Sequence, residues 1–272
     1  AAPNGWVMEY YVGKDYSLGG ITLLCKFDGQ RVTMASQIAG ADETVSSLYS
    51  VKSEQATMLS FDTYNYLVHY FGQPQGSMAD DPNGTLGGDY EFVISDATAD
   101  RIELKGKKYG NRIVMKAFSA DQTWKQYLTR IKKVEDDAFF YEYDLRMDGL
   151  YTGQMIRSNY TFIVTYYDEV GKVHQKTVPF MFTTDGMRFH EPVTIDGQTM
   201  QNFVWKNEEI SFVCTDEGAT EVKLAGVYTA GYQSYDYYPG TYQMDFYRLN
   251  DATNQMEVAS QEIQLVKDED GK

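Results

Sequence analysis

The chain has 272 residues, 43% of them hydrophobic, and a formal net charge of −15 at pH 7. Such a charge repels phosphate backbones and anionic lipid surfaces, and its two basic stretches, at 105–112 and 125–133, are short and read as solvated faces. Nucleic-acid binding is therefore excluded, and with no window near the roughly 20 apolar residues that span a bilayer, so is a transmembrane helix.

An aromatic share of 15%, dominated by 23 tyrosines, leans towards strand. The first half is predicted as short strands over Trp6–Tyr11, Gly20–Phe27, Arg31–Ser36, Ser46–Val51, Ala56–Phe61, Tyr64–Phe71, Asp89–Ile94, Arg101–Lys105 and Arg112–Phe118. Turn residues such as Asp28-Gly29 and Tyr109-Gly110-Asn111 punctuate them. The segment Gly72–Gly88, rich in Gly, Pro, Asp and Asn, reads as a long loop. One helix is predicted over 120–134, capped by Ser119 with Gln122 three residues on, and carrying Trp124, Leu128 and Ile131 at helical spacing. Glu135-Asp136-Asp137 then marks a boundary.

Strands resume over Phe139–Met147, Tyr160–Tyr167, Val173–Phe182, Met187–Glu191, Gln201–Lys206, Ile210–Thr215, Val222–Leu224, Tyr242–Leu249 and Met256–Val266. The organisation expected is a first unit over 1–137, ending in the helix, and a second over 138–272. The start at Ala1-Ala2-Pro3 is that of a mature or trimmed chain. Cys25 and Cys214 both lie in apolar runs and read as separate buried thiols; no C-x-x-C spacing exists.

Three stretches recur in order in the two halves. Phe27–Val32 resembles Thr184–Phe189, Lys52–Leu59 resembles Lys206–Val213, and Ala99–Gly106 resembles Thr220–Gly226. An internal duplication follows as the expectation. The fold class is mainly β: two related antiparallel β-meander units, as lipocalin-like barrels or as a packed sandwich, joined by one α-helix.

A wider set of residues carries a family resemblance. Asn4-Gly5-Trp6, Gly19-Gly20, Ser47-Leu48-Tyr49, Phe61–Asn65, His69-Tyr70-Phe71, Gly87–Phe92, Leu104–Lys108 and Thr184–Phe189 resemble the Bacteroidetes lipoproteins that carry domain of unknown function 4302. The resemblance implies an exported protein, tethered at the outer membrane by a lipidated N-terminal cysteine and associated with uptake systems for glycans or peptides. It supplies no catalytic residue.

Motifs for chemistry are sparse. His69 sits in an apolar run read as strand, His174 beside a turn, and His190-Glu191-Pro192 lacks the second His of H-E-x-x-H. Neither a G-x-S-x-G frame around Gly76-Ser77 nor a phosphate-binding glycine motif is present, so no cofactor is expected. Asp80-Asp81-Pro82-Asn83-Gly84 offers oxygen ligands but departs from the EF-hand spacing and reads as a solvated turn. The most distinctive segment holds Tyr228, Tyr232, Tyr235, Tyr237, Tyr238 and Tyr242, rings with an apolar face and a polar tip suited to sugar stacking or peptide capture. The plainer reading, that these rings cover a barrel end or pair across strands, is favoured. Tyr64, Tyr66, His69 and Tyr70 form a second aromatic set, read as core, and Trp6 and Trp205 read as packing residues.

The leading functional expectation is a non-enzymatic accessory or binding lipoprotein of the cell envelope that engages a glycan or peptide. A carrier of a small apolar ligand inside a barrel and a hydrolase with a carboxylate pair are the alternatives.

Overall fold

In the first strand, Trp6, Met8 and Tyr10 are buried while Val7 and Glu9 are half-buried between them, the period of two that closes a sheet around a core. The computed structural model describes residues 2–53, 56–74, 85–168, 170–228, 240–250, 252–253 and 255–266. Eight strands follow in a meander: β1 (Trp6–Val12), β2 (Gly19–Asp28), β3 (Arg31–Ser36), β4 (Val45–Ser53), β5 (Thr57–Phe61), β6 (Glu91–Ala97), β7 (Arg101–Gly106) and β8 (Arg112–Ala117). Each pairs antiparallel with the next, and β8 returns to β1 with Trp6 opposite Ala117, closing a barrel. Closure leaves no free edge for another chain to pair with.

A helix, α2 (Trp124–Asp137), precedes the second barrel. That barrel comprises β9 (Glu142–Met147), β10 (Leu150–Ser158), β11 (Thr161–Tyr167), β12 (Val173–Phe182), β13 (Gly186–Ile195), β14 (Gln198–Lys206), β15 (Ser211–Cys214) and β16 (Lys223–Gly226). It is closed by β16 against β9. The fold is thus mainly β, with two eight-stranded antiparallel barrels and a helix between them. Two further strands, β17 (Gly240–Asn250) and β18 (Gln255–Leu265), pair with each other as a separate sheet within the compact unit 228–272, both barrels falling in the unit 1–227.

Side chains fill both interiors. Met8, Tyr10, Leu23, Cys25, Phe61 and Phe92 occupy the first, and Tyr143, Phe162, Phe180, Phe189 and Phe212 the second. Phe162 and Phe180 stack with centroids 4.5 Å apart. Each fully buried ring contributes about 1.5–3 kcal/mol. Cys25 and Cys214 are both free and buried, one in each barrel.

Three expectations need correction. The strand read over Tyr64–Phe71 is a short helix, α1 (Tyr66–His69), because Asn65 caps it, its side chain accepting from Leu67 N at 3.2 Å. The long helix begins at Trp124 rather than 120. Thr123 and Gln126 form the reciprocal box, Thr123 N donating to Gln126 Oε1 at 2.9 Å and Gln126 N to Thr123 Oγ1 at 3.2 Å. Its last turn includes the acidic triplet, with Lys133 paired to Asp137 at 2.7 Å. Strand β10 was not expected, because Gly153 and the polar residues around it hide the alternation, and a bulge interrupts its pairing with β9.

The two related units expected from the repeat are present as two similar barrels, though the matched stretches are placed differently in each. In meander order, the Asp28-Gly29 turn joins strands two and three of its barrel, whereas the Asp185-Gly186 turn joins strands four and five. Lys52–Leu59 spans strands four and five, and Lys206–Val213 spans six and seven. Ala99–Gly106 holds strand seven, and Thr220–Gly226 holds strand eight. The two barrels share an architecture, but the matching stretches do not occupy equivalent strands. Hairpin chemistry, with a turn between two apolar runs, recurs wherever antiparallel strands meet.

The barrels meet along a tight seam in which β12 lies against β2. Gly19 sits there at φ +70°, and a Cβ added to it would lie 2.0 Å from the Tyr160 carbonyl oxygen. Tyr160 in turn donates to Glu135 of α2 at 2.7 Å.

Candidate functional site

The two barrels differ most in one connection. Between β13 and β14 the chain turns in two residues, Asp196-Gly197; between the corresponding strands β5 and β6 it runs from Asp62 to Tyr90. Long excursions from a compact scaffold are where binding residues concentrate.

The first part of the excursion is anchored by Asn65, which is fully buried and also donates from Nδ2 to Ser47 Oγ at 3.2 Å. It starts α1, whose Leu67 and Val68 join the barrel core and close its end. The last part is tied to the β7–β8 turn. Asp89 is buried and accepts from Lys108 N at 2.7 Å and Tyr109 N at 3.2 Å, while Asn111 Nδ2 donates to Gly87 O at 2.9 Å. Tyr10, from inside the barrel, donates to Asp89 O at 2.8 Å. Burial raises the Asp89 carboxyl above the ordinary aspartate value, and the two backbone donors and Lys108 recover only part of that. Gly106 has no Cβ because one would lie 1.9 Å from Asp89 Oδ2.

Between these anchors stands a row of rings. His69 stacks on Tyr90 at 4.6 Å and 20°, and the Tyr64 ring lies tilted to His69 at 5.6 Å. Tyr90 lies over Gly72, where an added Cβ would come within 3.0 Å of its ring. Tyr64 is 63% exposed and Tyr90 41%, and Tyr70 beside them is also exposed. His69 is half-buried, and burial lowers its pKa, so the imidazole is neutral near pH 7; its Nδ1 lies 3.2 Å from Asn65 N and 3.1 Å from Asn65 O. Tyr66 turns away and donates its hydroxyl to Glu43, which pushes its pKa up to about 12.

Two residues before Tyr64, Asp62 lines an open depression of about 410 Å³ with Gln30 and Tyr49. Its carboxylate accepts from Ser60 Oγ at 2.7 Å, which, more than the Lys52 cation at 3.5 Å, holds it below the usual aspartate value. Glu91, next to Tyr90, pairs with Lys107 at 3.0 Å. The rim therefore offers aromatic faces to solvent, with the Asp62 carboxylate two residues from Tyr64, while its shifted acid and base, Asp89 and His69, hold backbone in place.

Of the set read as core, Tyr64 and Tyr70 are exposed and His69 is half-buried, whereas Tyr66, half-buried, does pack against the core of the first barrel. The spacing of Tyr64 and His69 across a single cap residue was the available signal, and nothing in the sequence joined them to Tyr90. Of the tyrosine-rich segment, Tyr228 and Tyr242 are exposed, the latter on β17, and Tyr232, Tyr235, Tyr237 and Tyr238 lie outside the described residues. Gly76-Ser77 and Asp80–Gly84 lie outside them too. Trp6 is buried in the first barrel; Trp205 is half-buried against Phe212 and Phe140. His174 is half-buried, with Nε2 at 2.8 Å from Asp168 and its ring stacked on Tyr166. Among the described residues, no three His, Cys, Asp or Glu side chains are grouped to hold a metal ion, and no helix is long and apolar enough to cross a membrane.

Comparison with known proteins gives little beyond the family. No curated protein matches the chain significantly. Among solved structures, a putative DNA polymerase III beta subunit from Eubacterium rectale ATCC 33656 is similar at 10% identity and a TM-score of 0.16, over 82% of this chain and 56% of that one. This chain spans just over half the length of that protein, and a score so low carries no argument about fold or role. Residues 1–207 match the model of the domain of unknown function DUF4302, and the chain belongs to that family.

Proposed function

We propose that this protein is a non-enzymatic carbohydrate-binding accessory protein of the cell envelope, and that the Tyr64–His69–Tyr90 rim is its binding surface. The observation that carries the reading is the pair of exposed tyrosine rings, Tyr64 and Tyr90, that both pack on a neutral, half-buried imidazole. A pyranose ring presents one face of C–H bonds, which packs on an aromatic face, and its hydroxyls then reach for a carboxylate such as Asp62, two residues from Tyr64. The net charge of −15 favours neutral sugars over anionic ones. Attachment to the outer membrane through a lipid, and work beside an uptake system, belong to the same proposal and rest on the family likeness.

The test is thermal unfolding of the purified protein against a panel of neutral oligosaccharides. A ligand that binds only the native state adds about 2.7 kcal/mol at one hundred times its Kd, a shift of a few degrees in Tm. Tyr64→Ala and Tyr90→Ala are expected to abolish that shift; a panel without any shift removes the proposal.

A further inference from the structure

A second recess lies where the two barrels meet, away from the aromatic rim. It is a cleft of about 250 Å³ with Asp15 and Tyr16 of the β1–β2 connection on one side and residues of β12 and β13 on the other. Both Asp15 and Tyr16 are held in the left-handed region, at φ +54° and +59°, where non-glycine residues are strained. Surrounding contacts keep them there. The Tyr16 ring packs on His190 at 4.2 Å, His190 packs on Tyr11 at 4.3 Å, and Arg112 N donates to the Tyr16 hydroxyl at 3.4 Å. Strain persists where its surroundings over-determine it, and it gathers at binding sites.

The lining chemistry is specific. Lys176 supplies a cation, and Asp15 and Glu191 supply anions; none of the three has an ion-pair partner among the described residues. Pro179 and Pro192 give apolar wall, and the Tyr16 and His190 rings give aromatic wall. A volume below the roughly 300–1,000 Å³ of drug-sized ligand sites calls for a smaller occupant. A neutral sugar would leave three charges unanswered. We infer that this cleft binds a small zwitterion with an apolar body, an unblocked dipeptide or a free amino acid, whose carboxylate meets Lys176 and whose ammonium meets Asp15 and Glu191. This site is separate from the carbohydrate rim and takes different chemistry.

Calorimetric titration of the full chain with L-alanyl-L-leucine, L-prolyl-L-phenylalanine, L-leucine and N-acetyl-L-alanyl-L-leucine amide tests it. At least one unblocked compound is expected to bind, with the blocked one at least about tenfold weaker, since each lost charge-assisted contact is of that order. Lys176→Gln and Glu191→Gln, at exposed positions that leave the fold intact, are each expected to weaken binding about tenfold, and Tyr64→Ala to leave it unchanged. Leucine binding as tightly as the dipeptides would assign the cleft to free amino acids. Absence of binding by all three unblocked compounds, equal binding of the blocked one, or indifference to Lys176→Gln would overturn the inference.

Discussion

Glu9 of the first barrel and Arg188 of the second form an ion pair of 2.6 Å across the seam, and Lys116 approaches the same carboxylate at 2.8 Å. Burial raises the Glu9 carboxyl, but Arg188 and Lys116 outweigh it and hold it below the ordinary glutamate value. The two side chains are 15% and 24% exposed, between the surface pairs worth about 0–1 kcal/mol and the buried ones whose disruption costs about 3–5. Arg188→Met should therefore cost about 2 kcal/mol in denaturant unfolding. Because Glu9 is depressed, its contribution is present above the unfolded glutamate pKa near 4.5 and is lost as pH falls through the folded value. The wild type should lose more stability than Glu9→Gln on acidification below about pH 4.5.

His69 titrates with the opposite charge change. Burial lowers its folded pKa, so the unfolded chain binds more protons; its contribution is full above about pH 6.5 and is lost as pH falls to the folded value. His190 is lowered for the same reason, so the comparison must be by difference. The gap in stability between wild type and His69→Gln should narrow between pH 7 and 5.

Glycines separate two mechanisms. At Gly29, φ is +59° and nothing lies within 4 Å of an added Cβ, so Gly29→Ala should cost about 1 kcal/mol for conformation alone. At Gly106 the Cβ would strike Asp89, and Gly106→Ala should cost about 1–3 kcal/mol or more by overpacking. Equal losses in chemical denaturation would contradict the buried Asp89 anchor.

The helix start gives a similar contrast. Thr123→Ala should cost about 1 kcal/mol, and Ser119→Ala close to nothing, because Thr123 holds the box with Gln126. Both positions carry the same Ser/Thr-x-x-Gln pattern, and only the packing of Leu128, Ile131 and Val134 selects between them.

That choice marks where sequence reasoning stops. Strands such as β1 and β11 were legible because one face is apolar: Phe162 and Val164 point in, Ile163 and Thr165 out. The helix Tyr66–His69 was not, since its residues favour strand and only the Asn65 cap and the burial of Leu67 and Val68 impose a turn. The rim was half-legible. Tyr64, His69 and Tyr70 could be grouped from the chain, but their exposure depends on an excursion whose end is fixed by Asp89, and Tyr90 arrives from beyond it. The seam was invisible: Glu9 and Arg188 are far apart in sequence, and neither stretch carries a pattern that names its partner.

The most direct measurement is calorimetric titration of the best oligosaccharide from the panel into wild type, Tyr90→Ala and Tyr90→Phe. Loss of a stacking ring should weaken binding at least about tenfold, of the order of 0.5–1.5 kcal/mol for the ring contact plus its lost burial, and Tyr90→Phe should keep most of the affinity. Unchanged affinity in Tyr90→Ala would contradict the aromatic rim as the site of binding.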